Sequence, residues 1–311
     1  MPDKSWGVIY CPKDGKPGKT GRRWRKIREC LDSRGVSYDY VQSDGAEGAE
    51  RLAAMMTRNG YLTIVVVGGD SALNRALCGV MSSQSPTGRH PALGVIPNGY
   101  GNDFARFWGI PADDHRAAVD TLIRNIRRKV DVGVAALTFD DGTEERRHFL
   151  NCLNLGAASS VTNLRRKTRR LFALRPTAYL LSTLLLLFQR MSFRFAFALD
   201  GETVGKAGMN LCIGSSRGYG LTPSAVPYNG TLDVTLVSKP QARQLFHGLW
   251  LLYTGRFLSH RGVSVWRTRH ITVTSTANAP LSLDGRPVTR KTAKADITIL
   301  PDELEFVVPE R

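Results

Sequence analysis

The fold is decided by the stretch Thr63-Ile64-Val65-Val66-Val67-Gly68-Gly69-Asp70-Ser71-Ala72-Leu73-Asn74. Its first five residues are all β-branched, a pattern typical of a strand buried on both faces of a parallel sheet. Two glycines then break the strand, and a helical pattern covers residues 72–81. Glycine permits close approach of a ligand, and the N–H groups at a helix start attract negative charge. The stretch therefore predicts a phosphate site, although Gly-Gly-Asp could also serve only to turn the chain and cap the helix.

A second stretch, Leu93-Gly94-Val95-Ile96-Pro97-Asn98-Gly99-Tyr100-Gly101-Asn102-Asp103-Phe104-Ala105-Arg106, repeats this design. An apolar strand runs into a loop of glycine and asparagine, and a helix is predicted to begin near Asp103, which is suited to cap it. The carboxyl ends of parallel strands meet at one edge of a sheet. We therefore expect the two loops to lie side by side and to border a crevice.

The order of predicted elements divides the chain near residue 131. Before this point strands and helices alternate, which is typical of a doubly wound α/β domain. The further elements predicted there are strands at residues 6–10 and 38–42 and helices at 22–33, 46–59 and 115–126. After this point short strands dominate, with predicted helices at 179–188 and 241–253. These strands are predicted at 130–137, 148–155, 193–199, 207–213, 232–238, 270–275, 295–300 and 304–308. We predict a nucleotide-binding α/β domain over residues 1–131 and a β-sandwich-like domain over 132–311, whose last strands are candidates to return to the first domain.

The chain carries a formal net charge of +16 at pH 7, which favours an anionic partner such as nucleic acid, a lipid headgroup or a nucleotide phosphate. Basic residues cluster at 22–26, 127–129 and 165–170, and each cluster could also be an ordinary solvated face. Neither paired Cys/His finger spacing nor an aromatic RNA-binding strand signature occurs in the sequence. We therefore predict that nucleic acid is not the partner.

The five cysteines are odd in number and widely spaced, so the sequence predicts neither a disulfide framework nor a zinc site. The first residues carry no apolar leader pattern. The longest apolar run, residues 178–188, falls well short of the ~20 residues that cross a bilayer, and buried core explains its leucines as well as an acyl-chain site does. These features predict a cytoplasmic protein.

The two loops carry a resemblance to a known family. Gly68-Gly69-Asp70 followed by Asn74, with Pro97, Gly99 and the run from Asn102 to Arg106, resembles the catalytic domain of the diacylglycerol kinase and sphingosine kinase superfamily, in particular its bacterial lipid kinases. NAD kinases share the first loop but not the second. Further matching motifs follow at Asn154-Leu155-Gly156, Pro223-Ser224-Ala225, Asn229-Gly230-Thr231-Leu232-Asp233-Val234 and Leu283-Asp284-Gly285. The resemblance covers nearly the whole chain.

The resemblance implies an ATP-dependent lipid kinase of phospholipid metabolism. Such an enzyme transfers the γ-phosphate to a hydroxyl of a diacylglycerol-, ceramide- or sphingoid-like lipid in a cleft between the two domains. It implies ATP and Mg²⁺ as cofactors and peripheral contact with the anionic inner face of the membrane. A homodimer is a candidate assembly.

The resemblance also implies roles for individual residues. Asp70 would hold the nucleotide-bound Mg²⁺, and Asp284 would accept the proton of the lipid hydroxyl, although Asp-Gly alone is also a common hairpin turn. In the family a structural Mg²⁺ uses an Asp at the position of Asn229 with main-chain oxygens at Val226 and Thr231, and the loss of this carboxylate predicts a weakened, degraded site here. The predicted nucleotide-binding residues are Ser43, Gly68, Gly69, Asp70, Ser71, Ala72, Leu73, Asn74, Pro97, Asn98, Gly99, Tyr100 and Asn102. Ser43 could equally cap a helix or turn.

Several positions depart from the family pattern. Ser71, Ala72, Arg75, Tyr100, Asn229 and Arg286 stand where the family has Gly, Thr, Glu, Thr, Asp and Glu, and Cys11 stands where it has Asn. Two hypotheses follow. In the first, the protein is a lipid kinase in which Ser71 supplies the lost hydroxyl and Arg75 or Arg286 holds phosphate oxygens. In the second, it is a pseudokinase that binds nucleotide or anionic membrane without transferring phosphate.

Overall fold

Strands and helices alternate along the first part of the chain. The computed structural model describes residues 6–12, 18–44, 46–99, 101–160, 192–217, 220–238 and 257–310. The alternating elements are β1 (Trp6–Tyr10), α1 (Gly18–Ser33), β2 (Tyr38–Gln42), α2 (Ala46–Arg58), β3 (Thr63–Gly68), α3 (Asp70–Met81), β4 (Ala92–Pro97), α4 (Asp103–Phe107) and α5 (His115–Arg124). Each strand before β4 is followed by a helix because apolar β-branched runs alternate with amphipathic segments.

The four strands form a parallel sheet in the order β2-β1-β3-β4. Strand β3 is buried along its whole length, as its β-branched residues predict. The chain moves one way from β1 to β2 and the other way from β3 to β4, while α2 packs against α3 and α1 against α5. This arrangement is that of a doubly wound α/β sheet and confirms the predicted fold class.

Antiparallel strands dominate the rest of the chain. They are β5 (Arg127–Phe139), β6 (Glu144–Phe149), β7 (Cys152–Gly156), β8 (Phe193–Leu199), β9 (Glu202–Gly208), β10 (Asn210–Gly214), β11 (Leu232–Val237), β12 (Val263–Thr268), β13 (His270–Ser275), β14 (Leu281–Leu283), β15 (Arg286–Val288) and β16 (Thr292–Val307). One sheet has the order β12-β11-β10-β7-β14-β15, and β16, β13, β8 and β9 follow one another in a second set. This half is β-rich, as predicted.

The chain divides into two units, one of residues up to Val132 together with those from Pro301 onward, the other Gly133–Leu300. In the second unit, alternate residues of β8 (Phe195, Phe197 and Leu199) join one apolar core with side chains of β7, β10, β11 and β13. In the first unit, the end of β16 adds to the parallel sheet beside β4, with Phe306 paired to Leu93. Phe306 is fully buried and meets the ring of Phe104 edge-on, with ring centroids 4.9 Å apart.

Some predicted boundaries are wrong. The strand predicted at 148–155 is two strands, because the main chain bends at Leu150 and Asn151, whose N–H groups both donate to the Asp284 carboxylate. The two strands predicted at 295–300 and 304–308 are one strand, β16. It continues through Asp302, with φ of 54°, whose N–H donates to the Asp131 carboxylate at 3.1 Å.

The helices predicted at 179–188 and 241–253 lie outside the described residues. Strands β9, β12, β14 and β15 were not predicted as separate elements. Among the helices that the structure describes, none combines the length and the apolar character needed to span a bilayer.

Helices α2 and α3 cross so closely that the contact depends on Gly79. A Cβ at this position would lie 2.2 Å from the main-chain oxygen of Glu50. We expect Gly79→Ala to force the helices apart and to lower the free energy of unfolding by about 1–3 kcal/mol. Chemical denaturation measures this change.

The matched control is Gly21→Ala, because Gly21 also lies within a helix but would meet nothing within 4 Å. The higher helix propensity of alanine should make this variant as stable as the wild type or more so, by up to about 1 kcal/mol. Equal stability of the two variants would contradict the proposed close crossing.

Candidate active site

The carboxyl ends of β1, β3 and β4 meet at one edge of the parallel sheet. The Cys11 N–H donates to the Val67 oxygen at 3.0 Å, and the Asn98 N–H donates to the Gly68 oxygen at 2.7 Å. The strand order reverses between β1 and β3, and doubly wound sheets bind ligands at such a switch point. This edge is therefore the candidate site.

The two glycine loops touch each other through their main chains. We call residues 68–70 the Gly69 loop and residues 97–102 the Gly99 loop. A Cβ on Gly69 would lie 2.7 Å from the Gly99 Cα, and a Cβ on Gly99 would lie 2.5 Å from the Gly69 Cα. Real Cβ atoms do not approach backbone this closely, so only glycine fits at either position. The loops lie side by side, as their sequences predict.

The Asp70 carboxylate caps helix α4 from the neighbouring loop. Its two oxygens accept hydrogen bonds from the N–H groups of Asp103 and Phe104, at 3.0 and 3.1 Å. The prediction that Asp103 caps this helix is wrong, because Asp103 is its first residue and the cap arrives from a distant part of the chain.

Asn102 shapes the Gly99 loop. It adopts the left-handed conformation, with φ of 52°, which asparagine tolerates better than most residues. Its side chain accepts a hydrogen bond from the Gly99 N–H at 2.9 Å and donates one to the Gly99 oxygen at 3.2 Å. This closed ring of two hydrogen bonds fixes the glycine that touches the other loop.

Polar groups suited to an anion border the two loops. The N-cap residue of α3 is Gly69, which has no side chain with which to cap the helix. Ser71, in the first turn of α3, is partly exposed. The Asn98 side chain is 4% exposed, and its Nδ2 group has no hydrogen-bond partner in the part of the chain that the structure describes. A helix start and an unsatisfied amide donor both favour a negatively charged ligand.

Other predicted nucleotide-binding residues face the protein interior. Ala72, Leu73 and Asn74 are buried in the first turns of α3. Arg75 pairs with Glu50 at 2.6 Å, so its guanidinium serves the contact between α3 and α2. Tyr100 lies outside the described residues.

Cys11 and Ser43 lie together at the same edge. The Ser43 N–H donates to the Tyr10 oxygen at 2.8 Å, and its side chain is buried. Burial raises the pKa of the Cys11 thiol to about 12, and a hydrogen bond with Ser43 opposes the rise only in part. The thiol is therefore neutral at physiological pH and adds no charge to the site.

Asp284 lies in the second unit, where it forms a hairpin turn. Asp284 and Gly285 join β14 to β15, and both have positive φ angles, 44° and 74°, as a type I′ turn requires. The Asp284 carboxylate is buried, and it accepts N–H groups from Leu150 at 2.8 Å and from Asn151 and Cys152 at 2.9 Å. These charge-assisted hydrogen bonds fix its orientation. Arg286, the next residue but one, is half-buried.

The side chain of Asn229, at the predicted degraded metal site, bonds to neighbouring protein groups. The Asn229 Oδ1 atom already accepts the N–H and the hydroxyl of Thr231, at 3.0 and 2.9 Å. Nearby, the Asp233 carboxylate accepts the Ser224 hydroxyl at 2.5 Å and the Arg267 Nε at 2.8 Å. Within the described ranges, no three His, Cys, Asp or Glu side chains converge on a possible metal position. Protein donors therefore already engage the Asn229 side-chain oxygen that a hard cation would need.

Two contacts of the site had no signal in the sequence. The capping of α4 by Asp70 joins residues 33 and 34 positions apart, and a contact between Arg23 and Pro97 joins residues 74 positions apart. Local spacing reveals neither, because each depends on how the sheet folds.

Comparisons with known proteins agree along nearly the whole chain. Residues 5–135 match the family described as "Diacylglycerol kinase catalytic domain", and residues 153–308 match the "YegS C-terminal NAD kinase beta sandwich-like domain". A diacylglycerol kinase of Mycobacterium tuberculosis is 27% identical over 78% of this chain and 76% of its own length. A diacylglycerol kinase of Staphylococcus carnosus is 25% identical over 89% of this chain and 87% of its own.

Solved structures show the same fold. A diacylglycerol kinase from Bacillus anthracis superposes with a TM-score of 0.68 at 16% identity, over 99% of this chain and 98% of that one. A yeast NADH kinase complexed with NADH superposes with a TM-score of 0.55 at 12% identity, over 99% of this chain and 85% of that one.

The raised pKa of Cys11 predicts slow alkylation. Only the thiolate reacts, so the rate of labelling of Cys11 by iodoacetamide should rise about tenfold per pH unit from pH 7 to pH 10 without a plateau. Mass spectrometry of the Cys11 peptide measures this rate, and Cys11→Ala identifies the signal. A plateau below pH 10 would contradict the burial of the thiol.

The closed hydrogen bonding around Asn229 predicts that the wild-type melting temperature is unchanged when Mg²⁺ is replaced by EDTA. Asn229→Asp supplies the missing carboxylate and should make the melting temperature rise with Mg²⁺ concentration. Asn278→Asp is the matched control, since Asn278 is an exposed asparagine outside this site, as Asn229 is an exposed asparagine within it. A melting temperature of the wild type that falls in EDTA would show that the site holds metal after all.

Proposed function

This chain belongs to the diacylglycerol kinase family, and from that membership we propose that it is an ATP-dependent lipid kinase. The observation that carries the proposal is the main-chain contact of Gly69 with Gly99 beside the start of α3, whose N-cap residue is Gly69. Phosphoryl transfer asks the protein chiefly to position its reactants and to stabilise charge. A cradle of main chain, free of Cβ atoms, suits the polyphosphate of ATP.

The residues of the first unit fit a nucleotide with its metal. Asp70 is the residue that would hold Mg²⁺, through water, because its carboxylate is fixed at the start of α4 beside the contact of the two loops. When bound, Mg²⁺ bridges phosphate oxygens and offsets their charge. The Asn98 amide and the hydroxyl of Ser71 supply hydrogen-bond donors for phosphate oxygens.

The acceptor is proposed to be a lipid hydroxyl of the diacylglycerol, ceramide or sphingoid class. Asp284 would orient this hydroxyl and accept its proton, since three main-chain N–H groups hold the carboxylate in place. When the transition state of phosphoryl transfer is loose, the acceptor hydroxyl needs little deprotonation until the bond to the transferred phosphate has broken, so the demand on Asp284 as a base is small. The role as a turn and the role as a base are therefore compatible.

Contact with an anionic membrane is the proposed way in which the enzyme reaches its lipid. Arg22, Arg25 and Lys26 of α1 are exposed. Each exposed Lys or Arg near an anionic lipid surface contributes about 1 kcal/mol to binding. A peripheral protein on the inner face of the membrane follows from this proposal.

A pseudokinase is the second candidate function. It is favoured by Arg75, which pairs with Glu50 and so is not set to replace a phosphate-binding side chain. Under this alternative the crevice binds nucleotide, but no phosphate reaches a lipid. The two candidates differ in whether a phosphorylated lipid is produced.

The test incubates the protein with labelled ATP, Mg²⁺ and mixed micelles of diacylglycerol, monoacylglycerol, ceramide or a sphingoid base. A kinase produces labelled lipid from at least one of them. We expect Gly99→Ala to lower kcat/KM for ATP about 100-fold, because the added Cβ forces the loops apart, whereas Gly21→Ala should not change it. Asp284→Asn should retain ATP binding and lose lipid labelling. ATP binding without any labelled lipid would establish the pseudokinase instead.

A further inference from the structure

Arg23 connects helix α1 to the strand that leads into the Gly99 loop. Its Nη2 atom donates to the main-chain oxygen of Pro97 at 2.9 Å and to that of Ala112 at 2.6 Å. The side chain is half-buried, unlike its exposed neighbours Arg22 and Arg25. Arg23 therefore does not belong to the solvated face that its sequence cluster suggests.

The two carbonyl groups bound by Arg23 lie at the two ends of one segment of the chain, residues 97–112. Pro97 is the last residue of β4, and Ala112 lies between α4 and α5. The chain between them carries the Gly99 loop and α4. A single guanidinium thus joins the two ends of this segment and so closes its base, while the Asp70 carboxylate holds the start of α4. The loop is fixed at its base and again near its tip.

The charge of Arg23 is not matched by a carboxylate. Among the described residues it forms no ion pair, and its Nε atom is buried without a hydrogen-bond partner. Burial lowers the pKa of His115, and the positive charge of Arg23 lowers it further, so this imidazole is neutral at pH 7 and above. A guanidinium held only by carbonyl groups leaves a positive potential at the carboxyl edge of β4.

We propose that Arg23 is a positioning residue, which closes the base of the Gly99 loop and thereby holds this loop against the Gly69 loop, beside which the polyphosphate is proposed to bind. This inference rests on the proposed nucleotide site but assigns a role that the two loops themselves do not carry. Two carbonyl groups accept from one Nη2 atom, and the planar fork aims that atom at both. Lysine offers only a mobile point charge on a flexible stem, so it can replace this geometry only in part.

The test compares Arg23→Met, which keeps an unbranched apolar stem but removes the donors and the charge, with Arg23→Lys. Arg25→Met is the matched control, since Arg25 is exposed on the same helix. We expect Arg23→Met to speed amide exchange at Asp103 and Phe104 about tenfold and to raise the Kd of Mg·ATP about tenfold. Arg23→Lys should restore part of both losses, and Arg25→Met should change neither.

Two readouts separate positioning from general stability. All measurements are made at 20 °C below the melting temperature of the least stable variant, so that global unfolding does not contribute. A variant that only loses stability would lower the melting temperature and leave exchange at Asp103 and Phe104 and the Kd unchanged, and that result would overturn the proposal.

Failure of the proposed function is distinguishable from failure of this inference. If the wild type binds no ATP, the nucleotide site is refuted, and the exchange measurement alone decides whether Arg23 closes the loop. If the wild type binds ATP but Arg23→Met matches Arg25→Met in exchange and affinity, the inference is wrong and the nucleotide site stands.

Discussion

Two main-chain segments touch where no side chain would fit, and the candidate site depends on this contact. Gly69 and Gly99 come from loops after different strands, yet each occupies the space where the other would carry a Cβ. The contact holds only because β3 and β4 are neighbours in register and because Asp70 ties the first loop to α4. The position of the strands in the sheet thus fixes the site through hydrogen bonds of Asp70 and through van der Waals contact of the two glycines.

Several carboxylates in this protein accept hydrogen bonds from main-chain N–H groups and so hold the main chain in place. Asp70 caps α4, Asp284 binds the bend between β6 and β7, and Asp131 binds the N–H of Asp302. In each case the acceptor comes from a remote part of the chain and satisfies donors that no regular element pairs. The same residues that fold the protein are thereby placed with fixed orientation, and a fixed orientation is also what a site for phosphoryl transfer needs.

Patterns within short windows predicted much of the fold. The β-branched run before Gly68 gave the central strand, and the alternation of elements gave the doubly wound sheet. The sequence could not reveal contacts made after folding. Asp103 looked like a cap, but Asp70 fills that role, and Arg23 looked like part of a charged face, but it binds Pro97 and Ala112. Two strands were predicted at 295–300 and 304–308, yet β16 runs through both. Local propensity was overruled there by pairing with distant segments.

Strand β16 has a consequence for how the protein is made. Its end completes the parallel sheet beside β4, and Phe306 packs against Phe104 of α4, next to the glycine loops. A ribosome delivers residues 5–135 long before it delivers residue 306. The β4 edge of the parallel sheet therefore stays unpaired until residue 306 has been synthesised. During that interval the nascent chain exposes apolar surface, to which chaperones can bind.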